Sequence, residues 1–216
     1  MGQEELSRGR FITLEGGEGA GKSTQAALLV EVLTRSGIHA LKTREPGGAP
    51  GAEAIRKLLV EGDPARWDAL AEALLVVAAR RSHLRYTVWP ALDAGTWVVC
   101  DRFADSTIAY QGYGGGVPLT DLETLHRIIA GDFRPDLTLI LDLPVDIGMA
   151  RATARAGHET RFEKMGRDFH ERLRRGFLEI AAGEPKRCAL IDAQGRVSEV
   201  HQAILAQLRS RFGLAL

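Results

Sequence analysis

A glycine-rich loop at Gly16–Thr24 lies between a short apolar strand and a helix, and further apolar runs alternate with amphipathic stretches along the chain. Together these predict an α/β fold, because strands that alternate with helices form a parallel sheet covered on both faces. The loop narrows this to a P-loop NTPase fold: a five-stranded parallel sheet with helices on both faces. A length of 216 residues suits one such domain over 1–216, and 45% hydrophobic residues supply a sizeable core.

Residues 1–9 are polar and are expected to fray. Phe11–Leu14 is the first strand, and a helix from Thr24 to Ser36 ends at Gly37. His39–Lys42 is the second strand; Pro46, Gly47 and Gly48 then force a loop. Glu53–Glu61 forms a short helix with Ile55, Leu58 and Leu59 on one face, broken by Gly62-Asp63-Pro64. A long helix spans Trp67–Asp93; it is apolar nearly all round to Ala79, hence buried there, and polar from Arg80. Thr96–Cys100 is a buried strand, and Ala104–Gln111 is helical. Gly112 and Gly114–Gly116 read as a flexible connection before the helix Leu119–Ala130. Leu137–Leu141 is the fourth strand and Val145–Arg155 a helix; Ala156–Thr160 is a polar break. A long amphipathic helix over Glu163–Ala182, a last strand at Ala189–Ile191 and a closing helix over Val197–Arg211 complete the chain.

The loop has the spacing G-x-x-x-x-G-K-[ST] at Gly16, Gly21, Lys22 and Ser23. Glycines let successive backbone N–H groups turn around a polyphosphate, and the following helix aims its positive end at the same anion. Gly16, Gly17, Glu18, Gly19, Ala20, Gly21, Lys22, Ser23 and Thr24 therefore form the candidate nucleotide-phosphate site. Lys22 is expected to reach the β- and γ-phosphates and the Ser23 hydroxyl to coordinate Mg²⁺. Ligands of such a sheet bind at the carboxyl ends of the strands, where Arg44–Gly48, Asp101-Arg102 and Asp142 also converge.

Composition excludes several classes. The formal net charge is zero, which gives no global pull toward nucleic acid or an anionic membrane. The longest strongly apolar stretch, Ala73–Ala79, is too short to span a bilayer, and residues 1–10 carry no apolar signal core. A cytoplasmic location is expected. Cys100 and Cys188 sit in apolar runs and read as buried free thiols, and the six histidines show no metal-ligand spacing. A regulatory GTPase is disfavoured: the chain has no asparagine for guanine recognition, and its D-x-x-G at Asp192–Gly195 comes too late for a γ-phosphate switch.

Further motifs follow the loop in order: Thr43-Arg44-Glu45-Pro46-Gly47-Gly48, Ala78-Ala79-Arg80, Asp101-Arg102-Phe103 continuing to Ser106-Thr107 and Ala109-Tyr110-Gln111-Gly112, then Gly131–Thr138 and the arginines between Arg151 and Arg161. With these the chain resembles the thymidylate kinase (dTMP kinase) family from Phe11 to about Ile191. The resemblance implies transfer of a phosphoryl group from MgATP to dTMP, giving dTDP, in a homodimer. It implies that Glu18 approaches the acceptor 3′-hydroxyl and that Arg102 grips the acceptor phosphate. Arg80 would then meet the thymine edge, while Ser106, Thr107, Tyr110 and Gln111 line base and deoxyribose. Asp101 would support Mg²⁺ through water, and Glu45 with Pro46 would lie against substrate or lid.

The P-loop residue after Glu18 is Gly19, not arginine, so the resemblance is to the bacterial type, which implies a mobile lid at about residues 151–163 that supplies the transition-state cation. Residues 151–187 hold ten Lys or Arg against six Asp or Glu, and Arg155, then Arg161, then Arg151 are the candidates. Family members place an aromatic residue one turn before Arg80 to stack on thymine; here that position is Val76. A kinase for another pyrimidine nucleoside monophosphate and a non-catalytic ATP-binding regulator are the alternatives. Asp142 reads as a helix-cap acid, and Arg172, Arg174 and Arg175 as a solvated helical face.

Overall fold

The computed structural model describes residues 8–154, 161–162 and 165–216. Five strands, β1 (Phe11–Glu15), β2 (Ala40–Arg44), β3 (Trp97–Asp101), β4 (Leu137–Asp142) and β5 (Cys188–Asp192), form one parallel sheet in the order β2-β3-β1-β4-β5. β1 lies centrally between β3 and β4. Every residue of β1 is buried, Thr13 and Glu15 included, because helices cover both faces.

The period of two along the strands divides the core. Ile12, Leu14, Val99, Leu139 and Leu141 meet Leu29 and Leu33 of α1 (Lys22–Arg35) and Ile204 and Leu208 of α9 (Val197–Phe212) on one side. Phe11, Val98 and Cys100 meet Leu84, Val88, Leu92 and Phe103 on the other. Both cysteines are buried free thiols, as expected. The strand order reverses about β1, which opens the binding crevice at the strands' carboxyl ends.

Several elements depart from their predicted bounds. β2 runs on to Thr43 and Arg44 because these residues pair with Cys100 and Asp101 of β3. α2 (Pro50–Val60) starts three residues early, with Pro50 in its first turn, where a missing N–H breaks no helical bond. The expected 67–93 helix is interrupted. α3 (Ala69–His83), capped by Asp68, passes through a widened turn at Leu84–Val88 into α4 (Trp89–Asp93). Pro90 has no N–H to donate back along the helix, and the wider turn accommodates that loss.

A second widened stretch, Ile108–Gly114, extends α5 (Ala104–Thr107) through Gly112 and Gly114, two of the glycines expected to form a flexible connection. These two serve close packing instead. A Cβ on Gly112 would lie 2.5 Å from Leu119 Cδ2, and one on Gly114 would lie 2.5 Å from Phe169 Cε2. α6 (Leu119–Ala130) starts and ends where predicted, α7 covers Val145–Ala154, and α8 (Arg167–Gly183) begins four residues later than expected.

Candidate active site

At the carboxyl end of β1 the chain turns through Gly16 and Gly19, both at positive φ. No side chain fits at either: a Cβ on Gly16 would lie 2.4 Å from the Leu141 carbonyl oxygen, and one on Gly19 would lie 2.1 Å from that of Gly148 in α7. α1 then starts at Lys22 with no side-chain cap, so its first N–H groups face the loop and suit an anion. Lys22 Nζ donates to the carbonyls of Gly16 at 3.1 Å and Gly17 at 2.7 Å. Burial and the neighbouring Arg102 cation bring its pKa down to about 8. The Ser23 hydroxyl donates to the Asp101 carboxylate, so the two candidate metal-binding side chains meet at the ends of α1 and β3.

Opposite the loop, Arg102 follows β3 at a positive φ of 71°, a strained conformation for a non-glycine residue. Glu15, fully buried at the end of β1, anchors the strained turn by accepting from Phe103 N at 2.7 Å and from Ser106 Oγ at 2.5 Å. Its burial, reinforced by the Asp105 charge, raises its pKa to about 7. Arg102 Nη2 donates to Glu18 at 2.8 Å, and Tyr110 OH donates to the same oxygen at 2.6 Å. Burial alone would raise the Glu18 pKa, but Arg102, Lys22 and the Tyr110 hydrogen bond outweigh it and hold the group at about 2. The Arg102 guanidinium also sits 4.8 Å from the Tyr110 ring centroid.

Arg80, on the buried face of α3, donates from Nε to Glu45 at 2.7 Å and from Nη2 to Thr107 Oγ1 at 2.8 Å and Phe103 O at 3.1 Å. Arg80 is buried but does not snorkel; it is fixed by residues from three elements. Gln111 Nε2 donates to Glu72 at 2.6 Å. Glu18, Gly19, Gly21, Lys22, Ser23, Thr24, Glu45, Pro46, Arg80, Asp101, Arg102, Ser106, Thr107, Tyr110 and Gln111 line one cleft of about 580 Å³. Among the sequence-predicted residues Gly16, Gly17, Ala20, Arg151 and Arg161 do not line it; the first three shape the loop from behind. Val76 and Phe162 line the cleft as well, and the Phe162 and Tyr110 rings pack edge to face with centroids 5.3 Å apart.

The three lid arginines part company. Arg151 donates to the carbonyls of Ala193 at 2.9 Å and Gln194 at 3.0 Å, tying the end of α7 to the β5–α9 loop. Arg161 is buried, ion-paired to Glu72, and donates to Leu59 O at 3.2 Å. Arg155 lies outside the described residues, with Ala156–Thr160 and Glu163.

Two expected roles need correction. Asp142 is not a helix cap: it forms a bidentate pair with Arg174 at 2.7 and 2.9 Å. Arg174 is therefore not part of a solvated face, and neither is Arg172, which donates to Tyr113 O and Gly114 O. Sequence reasoning missed Glu15, Glu72, His83 and Thr43. Glu15 carried one signal, an acid closing an otherwise apolar strand. The others lie within helix or strand patterns that give no hint of their partners.

The family model described as thymidylate kinase matches residues 14–204. The chain is 56% identical over 207 residues to a thymidylate kinase of Rhodopseudomonas palustris, covering 94% of this chain and 90% of that one. It is 52% identical over 209 residues to a thymidylate kinase of Caulobacter vibrioides, covering 97% and 100%. The crystal structure of a thymidylate kinase from Ehrlichia chaffeensis superposes with a TM-score of 0.77 at 35% identity, covering 93% and 99%.

Proposed function

The chain belongs to the thymidylate kinase family and phosphorylates dTMP to dTDP, and from that premise we propose how its own residues carry the transfer. The observation that carries the reading is the two-sided cleft, which joins the phosphate loop directly to the Arg102–Glu18–Tyr110 cluster and the Arg80–Glu45 pair. A regulator that only bound ATP would need no second nucleotide pocket.

ATP is the donor. The loop N–H groups and the α1 terminus cradle its phosphates, and Lys22 exchanges its two carbonyl partners for phosphate oxygens. Ser23 and Asp101 fit Mg²⁺ and would hold it: both offer hard oxygen atoms, and the two side chains already meet. When bound there it supplies positive charge along the donor phosphates. Phosphoryl transfer asks the protein mainly for alignment and charge stabilisation. Arg102 presents a guanidinium fork to the acceptor phosphate. Glu18, ionised at neutral pH, accepts from the acceptor 3′-hydroxyl and steadies Arg102. Tyr110 closes the sugar side, where a ribose 2′-hydroxyl would crowd it.

Arg80 reads the base. Its Nε and Nη2 are engaged by Glu45, Thr107 and Phe103, which leaves Nη1 as a donor toward the cleft. A fixed donor suits the O4 carbonyl of thymine and opposes the 4-amino group of cytosine. Arg155 supplies the transition-state cation: Arg151 and Arg161 are engaged by loop carbonyls and by Glu72, and Gly19 offers none. The working unit is a cytoplasmic homodimer, a reading supported by exposed Leu70 and Leu74 on α3 and Ile128 on α6, two helices that pack together.

ADP release with MgATP across a panel of nucleoside monophosphates tests the reading. Strong turnover with dTMP, weak with dUMP and none with AMP or GMP is expected; comparable rates with dTMP and dUMP would sink thymine selectivity, and comparable rates with dCMP as well would refute base reading by Arg80. Lys22→Ala should abolish turnover, and Arg155→Ala should lower kcat more than KM. An unchanged kcat in the latter would move the cationic role to another lid arginine.

A further inference from the structure

His83 lies one turn after Arg80 on the same face of α3 and is completely buried. Its Nδ1 is 2.9 Å from Glu45 Oε1, and its Nε2 is 2.7 Å from Thr43 Oγ1. Glu45 in turn receives Arg80 Nε on its other oxygen. The chain Thr43–His83–Glu45–Arg80 therefore links β2, the loop after it and α3, and ends at the guanidinium that faces the acceptor base.

The hydrogen-bond inventory fixes the Nδ1 proton. Burial opposes the Glu45 charge, but Arg80 and His83 hold its pKa below the usual carboxylate value, so its oxygens only accept. His83 therefore donates from Nδ1 to Glu45, and its Nε2 shares a hydrogen bond with the Thr43 hydroxyl, so both ring nitrogens are engaged. The space admits little else: a Cβ on Gly48 would come within 2.4 Å of Thr43 Oγ1 and 2.5 Å of the His83 ring.

We propose that His83, held by Thr43, is a positioning residue for acceptor recognition: it locks Glu45 so that Arg80 presents its free donor to the pyrimidine in one orientation. This matters more here because Val76, not an aromatic ring, lines the cleft one turn before Arg80. With a small aliphatic wall, base selection depends more on a rigid polar contact. The proposal rests on the reading that Arg80 meets the base.

The test uses His83→Phe, which keeps a ring but removes both polar atoms, and His83→Gln, which keeps one donor and one acceptor. Thr43→Val probes the far end of the chain, and Arg80→Lys tests the underlying reading. The readouts are kcat and KM for dTMP and for ATP, the dTMP dissociation constant measured without ATP, and the melting temperature. His83→Phe should raise the dTMP KM and dissociation constant about tenfold, the scale of one lost hydrogen bond to a charged group. Its ATP KM should stay put, and kcat should fall less than twofold. His83→Gln should recover most of the affinity, and Thr43→Val should weaken dTMP about threefold, through His83 alone. A His83→Phe protein that melts earlier yet binds dTMP normally would reduce His83 to a packing residue and overturn the proposal, as would a Gln variant no better than Phe. If Arg80→Lys leaves dTMP affinity unchanged, the base-reading role of Arg80 itself falls, an outcome distinct from failure at His83.

Discussion

Replacing Glu15 by Gln should change the pH dependence of stability in a defined window. Glu15 is fully buried behind Arg102, and burial reinforced by Asp105 raises its pKa from the ordinary 4.5 to about 7. Below the ordinary value the residue is protonated in both folded and unfolded chains and costs nothing. Between about pH 4.5 and 7 the unfolded chain has released the proton while the folded chain retains it, so stability falls as pH rises and levels off above the folded value. At about 1.4 kcal/mol per pH unit, that gap amounts to about 3 kcal/mol. Glutamine does not titrate and can still accept from Phe103 N or Ser106 Oγ. Urea unfolding of both proteins at pH 5, 6, 7 and 8 isolates the effect, because other titrations common to both cancel in the difference. The wild-type advantage over Glu15→Gln should shrink by about 3 kcal/mol from pH 5 to pH 8. A difference that stays constant with pH would show that Glu15 ionises normally and refute the assignment of burial as its dominant influence.

Three further substitutions bear on the site. In Gly148→Ala the gain in helix propensity, about 1 kcal/mol, opposes a new Cβ 2.5 Å from the Glu18 carbonyl oxygen, and overpacking against backbone costs about 1–3 kcal/mol. The clash should win, raising the ATP KM and lowering the melting temperature; an unchanged ATP KM would count against close packing of α7 on the loop. Arg161→Met strands the buried Glu72 carboxylate and should destabilise the protein by about 3–5 kcal/mol in urea unfolding. A loss under 1 kcal/mol would mean that the pair does not persist in solution. Tyr110→Phe removes the 2.6 Å hydrogen bond to Glu18 but keeps the ring beneath Arg102. Initial rates should show a dTMP KM about tenfold higher with ATP KM unaffected, and equal KM values would remove Tyr110 from the acceptor site.

The sequence made the central sheet legible because strands buried on both faces must be continuously apolar, as in Trp-Val-Val-Cys and Leu-Thr-Leu-Ile-Leu. β2 was harder: its side chains are half exposed, and only pairing with β3 carries it to Arg44. Gly112 and Gly114 misled because glycine looks the same in sequence whether a backbone must bend or a neighbour must approach. At the site, local motifs pointed to the P-loop, Arg102 and Tyr110, which line one cleft. The supporting acids and histidine were hidden because their roles come from distant partners: Glu72 meets Arg161 across 89 positions, and Glu45 meets His83 across 38. Asp142 was misjudged for the same reason, its partner Arg174 lying 32 residues on.

The distribution of those pairs explains why arginine recurs around this cleft. Glu45–Arg80 and Glu72–Arg161 each place a buried acid beside a guanidinium, and Glu18–Arg102 does the same with a half-buried one. A buried carboxylate without a partner would be costly, and each pairing offsets that cost in a geometry fixed by further hydrogen bonds. A guanidinium has five N–H donors, so pairing with a glutamate does not exhaust it. Arg80 makes three bonds with two of its nitrogens and still keeps Nη1. Arg102 gives one nitrogen to Glu18, and its other makes only longer contacts, 3.2 Å to Gly16 O and 3.4 Å to Ser106 Oγ, which an acceptor phosphate can replace. A lysine at either position has one nitrogen and would have to choose between protein and substrate. The glutamates thus hold the cations in place before substrate arrives, so less reorganisation accompanies binding and more of the interaction is available for aligning the transfer.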